Sequence, residues 1–302
     1  MKDKMKILIA YDGSESANAA LTDLKQAGLP RKAEVHVLSV YAEWIPAPAS
    51  FGMVETGFAS YVEEGEQRAL AMAQDARTVL KSSFPDWDIH TESLAGSPAG
   101  LILQRADELK PDLIVVGSHG HSALAALGRL FLGSVSQKVL HAAHGTVRIA
   151  RGRVEEPGTP IRLIVGIDGS KGAEAAVKTI AGRHWPHGSE ARIVNSFPVL
   201  PPIGTEYAAA LAAWVADEKS RAGEAIERAI GKLKGAGLTV SKVMKEEDAR
   251  QSLINEAQSW GADCIFVGAK GISAIERFLL GSVSSYVATH AHCSVEVVRG
   301  EE

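Results

Sequence analysis

Two spacings of apolar residues alternate along the chain. Short continuous runs, such as Lys6–Tyr11 (KILIAY) and Asp112–Gly117 (DLIVVG), suit strands buried on both faces. Longer stretches carry their apolar residues at helical intervals: Ala69, Met72, Ala73, Ala76, Val79 and Leu80 share one face, while Glu66, Gln67, Gln74, Asp75 and Lys81 fall largely elsewhere. In the first half this pattern predicts strands over Lys6–Tyr11, Glu34–Tyr41, Trp87–Leu94, Asp112–Gly117 and Thr146–Arg151. Between them it predicts helices over Ser14–Ala27, through Ala69–Leu80, over Ala99–Leu109 and over Val135–Ala143, with Ser14 as an N-cap and Gly28 as a stop.

The same order returns in the second half. Strands are predicted over Arg162–Ile167, Ala191–Phe197, Thr239–Met244, Asp263–Gly268 and Ser294–Arg299, and helices over Ala173–Ala181, Ala208–Leu233, Gln251–Trp260 and Val283–His290. Individual segments repeat as well. KILIAYDGS at Lys6 matches RLIVGIDGS at Arg162, DLIVVG at Asp112 matches DCIFVG at Asp263, and FLGSVS at Phe131 matches LLGSVS at Leu279. The copies are separated by similar intervals, so a domain has been duplicated. Residues 152–160, with two prolines, two glycines and adjacent charges, read as a short linker between domains 1–151 and 161–302. Strand–helix alternation with continuous apolar strands implies a parallel sheet covered on both faces, and right-handed crossovers limit it to a doubly wound α/β fold. Ligands of such sheets sit beyond the carboxyl ends of the strands, where the winding reverses. Both Asp-Gly-Ser turns and both glycine-rich segments follow strands on that edge.

Composition narrows the reading by exclusion. A chain of 302 residues, 46% hydrophobic and 23% charged, is long enough for two cores. A net charge of −4 gives no general attraction to nucleic acid or to an anionic membrane, so an anionic ligand must be held by local geometry. The N-terminal apolar run is too short for a signal peptide and reads as a strand; no run approaches a membrane span. The two cysteines, Cys264 and Cys293, stand in apolar, strand-like contexts, and buried reduced thiols in a cytoplasmic protein are expected.

The candidate chemistry lies in the segment from Gly268 to Ser282, GAKGISAIERFLLGS, which reads G-x2-G-x9-G-S between a strand and a helix. Glycines there let the backbone approach a bulky anion and turn its N–H groups inward, and the helix start adds unsatisfied donors. No Walker lysine is present. A ligand-free reading of the same residues is also available. The glycines would be turn residues, Ser282 an N-cap, and Ser134 to Gln137 in the first half a capping box. The order strand, G-x2-G loop, G-S helix start occurs in both halves, which favours the phosphate site.

With an Asp closing the first strand of each half, this constellation resembles the universal stress protein family over nearly the whole chain. The resemblance implies a five-stranded parallel sheet of the adenine nucleotide alpha hydrolase-like, Rossmann-like kind in each half, with the halves packed as a pseudo-dimer. It also implies ATP or another adenine nucleotide, with Mg²⁺ on its phosphates, and an unidentified protein partner or a homodimer. By the resemblance, Asp12 and Asp168 would contact adenosine, and Val40 and Ser196 would line the adenine site. Gly117, Gly120, Gly133, Ser134 and Val135 would hold ribose and phosphates in the first half; Gly268, Gly271, Gly281, Ser282 and Val283 would do so in the second. Two departures stand out. The first half has twelve residues between Gly120 and Gly133 instead of nine, and the second half has Glu247, Asp248 and Ala249 where the first has Gly96, Ser97 and Pro98. That exchange is expected to bring negative charge near the phosphates.

Other features are weighed against simpler explanations. His119 and His121 flank Gly120 without carboxylates or thiols nearby, which favours exposed loop histidines over a metal site. His141 and His144, with His290 and His292, suit helix C-termini. Lys270 reaches a phosphate or is simply solvated, and Arg129 and Arg277 precede their G-S steps. Apolar loops from Trp44 to Phe51 and from Phe197 to Ile203, with the stretch Tyr207–Ala216, are lids, partner surfaces or internal packing. No nucleophile–base pair supports efficient turnover, so slow ATP hydrolysis is the most that is expected. The function expected is an ATP-binding stress-response or signalling module whose conformation follows the nucleotide. The alternative is an interaction scaffold of the same fold that has lost the ligand.

Overall fold

The structure is a computed structural model that describes residues 4–41, 55–120, 132–151, 158–197, 205–271 and 280–300, with the side chains at 55–62, 205–216 and 218 outside the description. Most of the linker 152–160, the loop residues from Trp44 to Phe51 and from Pro198 to Ile203, the side chains of Tyr207–Ala216, and His121, Arg129 and Arg277 therefore lie outside the described residues. The chain forms two compact units that part between residues 152 and 153, with the short segment 26–29 grouped with the second.

The first half contains β1 (Met5–Ala10), α1 (Glu15–Asp23), β2 (Ala33–Tyr41), α2 (Glu55–Ser83), β3 (Asp88–Ala95), α3 (Pro98–Leu109), β4 (Leu113–Gly117), α4 (Ser134–Ala142) and β5 (Val147–Ala150). The second contains β6 (Arg162–Gly166), α5 (Lys171–Ala181), β7 (Glu190–Phe197), α6 (Thr205–Gly235), β8 (Thr239–Glu246), α7 (Ala249–Trp260), β9 (Cys264–Gly268), α8 (Ser282–His290) and β10 (Ser294–Val298). The strand order is β3-β2-β1-β4-β5 in the first half and β8-β7-β6-β9-β10 in the second, all neighbours parallel. Each half is a doubly wound, Rossmann-like α/β domain whose winding reverses between its first and fourth strands, β1/β4 and β6/β9.

The apolar runs behave as their composition dictates. Strand β4 (LIVVG) is buried at every position, and Leu163, Ile164 and Val165 of β6 are fully buried. The outer strand β8 alternates exposed and half-buried residues instead. In the second half Leu163, Val165, Ile180, Ile193, Ile226 and Phe266 belong to one core cluster between the sheet and α5 and α6. In the first, Trp87 is fully buried just before β3, and its indole N–H donates to the Pro30 carbonyl at 2.9 Å.

Two helices differ from their sequence expectation. Helix α2 begins at Glu55, well before the periodic stretch at Ala69, because Thr56, Gly57, Ser60 and Gly65 weaken both propensity and periodicity there. Helix α1 ends at Asp23 and tightens into a 3₁₀ turn over Leu24–Gln26, where the sequence predicts helix to Ala27. Two buried ion pairs were not foreseen. Arg148 Nε on β5 donates to Asp23 Oδ2 on α1 at 2.6 Å, and Arg183 Nη1 donates to Glu296 Oε2 on β10 at 2.9 Å.

No helix among the described residues is long and apolar enough to cross a membrane. Both cysteines are buried free thiols.

Candidate functional site

The Asp-Gly-Ser turn after the first strand of each half is built from three local rules. The Asp carboxylate accepts a hydrogen bond from the amide two residues on: Ser14 N to Asp12 Oδ1 and Ser170 N to Asp168 Oδ1, both at 3.0 Å. The glycine takes a left-handed conformation, with φ of +74° at Gly13 and +81° at Gly169. The serine then caps the helix, accepting from Ala17 N at 3.1 Å and Ala173 N at 3.2 Å. Each Asp is thereby fixed at the carboxyl end of the central strand.

The glycine loop after the fourth strand packs against that Asp. A Cβ at Gly271 would stand 2.6 Å from Asp168 Oδ2, and one at Gly120 would stand 2.9 Å from Asp12 Oδ2. With glycine the loop lies this close without displacing the carboxylate. The loop is then closed onto the following helix: Gly133 N donates to Ser118 O at 2.7 Å, and Gly281 N donates to Ala269 O at 2.8 Å. The longer G-to-G interval of the first half therefore leaves its G-S helix start in place. Buried Ser136 and Ser284 reinforce the closure, donating to Gly117 O at 2.6 Å and Ala269 O at 3.1 Å.

The capping-box reading of Ser134 and Gln137 is overturned. Gly133 and Gly281 are the N-caps, and no side chain caps either helix; Ser134 and Ser282 are the first helical residues and are exposed. One position of register separates the two arrangements, and it decides whether the serine hydroxyl caps its own helix or faces outward. The helix starts keep uncapped N–H groups and partial positive charge.

In the second half these parts line an open cleft. Asp168, Ser196, Gly268, Gly271, Gly281 and Val283 all line it. Ser282 does not, although it is the exposed residue between two that do. The cleft also takes Val194 of β7, Lys270, and Ala249 and Leu253 of α7. Ala249 and Leu253 were not singled out as site residues; Ala249 stands where the first half has Pro98, the one sequence signal for that wall.

The two members of the acidic pair beside the cleft are partnered differently. Asp248 caps α7, accepting from Arg250 N at 2.8 Å, and pairs with the Arg250 guanidinium at 2.7 Å, which lowers its carboxyl to a pKa of about 2. Glu247 faces Lys245 Nζ at 3.6 Å. Asp248 thus has its own cation, whereas Glu247 shares Lys245 with Glu256, whose carboxylate stands closer at 3.1 Å.

In the first half Asp12, Gly117, Gly120 and Gly133 occupy the corresponding places, with half-buried Val40 on β2 and half-buried Val135 on α4. His119 is not an exposed loop residue. It is half-buried, its Nδ1 lies 3.0 Å from Ser118 Oγ, and its Nε2 has no hydrogen-bond partner among the described residues. Burial, with the Arg151 charge, lowers its pKa below the ordinary imidazole value. His141 and His290 contact the carbonyls of Gln137 and Tyr286, one turn back in their own helices. Among the described residues no group of three or more His, Cys, Asp or Glu could hold a metal ion.

The sequence model of the universal stress protein family matches residues 5–151 and again 161–299. The chain belongs to the universal stress protein family. A universal stress protein of Mycolicibacterium smegmatis is 26% identical over 304 aligned positions, covering 97% of this chain and 96% of that protein. One from Thermus aquaticus is 37% identical over 147 positions, covering 48% of this chain and 97% of its own length, so it corresponds to one half. Among solved structures, a universal stress protein from Archaeoglobus fulgidus covers 98% of this chain and 99% of its own, with a TM-score of 0.66 at 21% identity, a likeness of fold. A two-domain arrangement of the family fold is thus present along the full chain.

Proposed function

We propose that this universal stress protein binds an adenine nucleotide in the second-half cleft and acts as a nucleotide-responsive module in stress response or signalling in the cytoplasm. One observation carries the reading: Asp168, Ser196, Gly268, Gly271 and Gly281, far apart in sequence, converge on one cleft at the carboxyl ends of β6 and β9. The residues fit the group. A Cβ at Gly271 would enter the space beside the Asp168 carboxylate, and the α8 start offers amide donors without a competing cap.

In this reading Asp168 binds the adenosine part and Ser196 lines the base. Gly268, Gly271, Gly281, Ser282 and Val283 hold ribose and phosphates, with Mg²⁺ as their counter-ion. In the first half Asp12, Val40, Gly117, Gly120, Gly133, Ser134 and Val135 form the equivalent set. The matching Asp–glycine approach and loop closure in that half support a second site built on the same plan.

The test is denaturing extraction of the purified protein, with chromatography and mass spectrometry of what is released, followed by calorimetry with Mg-ATP. Bound ATP or ADP, lost on Gly281→Val, is the expected result; a Cβ there already meets Ala269 O at 3.2 Å. A folded protein that neither carries nor binds an adenine nucleotide would refute the proposal.

A further inference from the structure

Lys270 is the third residue of the loop Gly268-Ala269-Lys270-Gly271 and lines the cleft. It is half-buried, yet among the described residues its ammonium makes no ion pair and no hydrogen bond; only its backbone carbonyl is engaged, accepting from Ser170 Oγ at 3.4 Å. Of the neighbouring carboxylates, Asp248 is held by Arg250, Glu247 shares Lys245 with Glu256, and Asp168 takes the Ser170 amide on one oxygen. An ammonium that is half-buried and makes no ion pair among the described residues, on a flexible stem in a loop that begins and ends in glycine, is placed to meet an anion brought into the cleft.

The first half makes a different choice at the same place. Its loop reads Gly117-Ser118-His119-Gly120, so His119 replaces Lys270. Its imidazole is tied to Ser118 Oγ and is disfavoured as a cation by burial and by Arg151. The two loops share a backbone plan and differ in whether they carry a permanent charge.

Building on the nucleotide reading of the cleft, we propose that Lys270 is a specificity residue, making the second-half site prefer adenine nucleotides with two or three phosphates over AMP and adenosine. A point charge gains more from each added phosphate and nothing from an uncharged nucleoside.

The test is calorimetry on the full chain, as wild type, Lys270→Met and Lys270→Arg, with Mg-ATP, Mg-ADP, AMP and adenosine at fixed ionic strength. Lys270→Met should weaken ATP and ADP by about tenfold, the loss of one charge-assisted contact, and leave adenosine unchanged. Lys270→Arg should retain most of the ATP affinity. In a Gly281→Val background the Lys270 effect should vanish. Equal weakening of all four ligands, unchanged ATP binding by Lys270→Met, or an effect that persists beside Gly281→Val would overturn the assignment. A wild type that binds adenosine and ATP equally well would overturn it while leaving the cleft reading intact. A wild type that binds none of the four would remove both.

Discussion

Replacing Gly268 with alanine tests how the site is assembled, because the glycine loop starts where β9 meets the first turn of α5. A Cβ at Gly268 would stand 2.4 Å from the carbonyl carbon of Gly172, 2.7 Å from its Cα and 2.8 Å from its oxygen. Optimal carbon–carbon separation is about 3.5–4.0 Å, so the deficit is about 1 Å. All three atoms are backbone, and no rotamer change relieves the clash. Either α5 or the end of β9 must move, and α5 brings Ala176, Val177 and Ile180 into the core. Overpacking of this kind costs about 1–3 kcal/mol, and the rigid partner places Gly268→Ala at the upper end. Gly117, its counterpart, is less constrained: a Cβ there lies 3.0 Å from the carbonyl carbon and oxygen of Ser16 and 2.7 Å from the rotatable Ser16 Oγ. Gly117→Ala should cost about 1 kcal/mol. Gly231, in α6 with nothing within 4 Å of its Cβ position, is the control; its alanine variant should gain about 0.5–1 kcal/mol. A chain of two units need not unfold in one step, so the assay is hydrogen exchange resolved by peptide, following β9 and β4 separately. A loss of about 2–3 kcal/mol lowers β9 protection roughly 30- to 150-fold. Wild-type protection of β9 in Gly268→Ala, or a larger loss at β4 in Gly117→Ala, would refute the packing argument.

Three further changes probe the second half. Glu256 on α7 is buried and accepts from Arg192 Nη1 at 2.6 Å, with Lys245 Nζ at 3.1 Å; against the effect of burial, these cations hold its carboxyl below the usual range. Glu256→Ala should cost about 2 kcal/mol in denaturant unfolding, less than the roughly 3–5 kcal/mol of a fully buried pair, because both cations reach water; a cost under half that would show the pair is incidental. Asp248, with its pKa lowered to about 2 chiefly by the hydrogen bond from Arg250, contributes stability that is present above about pH 4 and lost as pH falls toward 2. Its Asn variant should therefore differ from wild type near neutral pH and converge on it in acid, while Asp248→Ala also loses about 1 kcal/mol of helix capping; pH-independent differences would contradict the linkage. Ser252 on α7 is fully buried and its hydroxyl has no partner among the described residues, so Ser252→Ala should stabilise by about 0.5–1 kcal/mol, and a clear loss in thermal unfolding would reveal an unrecognised contact.

How far the sequence could be read depended on how local each cause is. Strands such as Leu113–Gly117 were legible because parallel strands covered on both faces need continuous apolar runs, and the duplication was legible because it repeats whole segments. The Asp-Gly-Ser turns were legible because all three of their rules act within a few residues. The ion pairs Arg148–Asp23 and Arg183–Glu296 were not, since nothing local in the sequence joins a strand residue to a helix-end residue so far away. The serine of the first G-S step, Ser134, was misread for a finer reason. The Ser134-x-x-Gln137 spacing satisfies the capping-box pattern whether or not the helix starts there, and only the extended backbone at Gly133, φ −62° and ψ 153°, assigns the cap to glycine. Leu253 was missed because an apolar residue on an amphipathic helix gives the same signal whether it faces a core or a cleft.

The comparison of halves separates what the fold needs from what a ligand needs. Gly13 and Gly169, Ser14 and Ser170, and Gly133 and Gly281 carry identical local duties in both units. Folding alone suffices to explain their repetition, whatever ligand contacts they also make. Ser134 and Ser282 are different: the helix caps itself on glycine, leaving the hydroxyl without a structural task that would explain its repetition. Lys270 and His119 differ again, because the backbone plan around them is shared and the side-chain chemistry is not. A residue retained where folding does not require it points to a common ligand class, and a residue exchanged on an unchanged backbone points to divergence in what each half accepts. On that logic, and on the proposed nucleotide reading, the two halves would take one class of ligand without discriminating alike, and ligand preference should be measured half by half, not as a property of the whole chain.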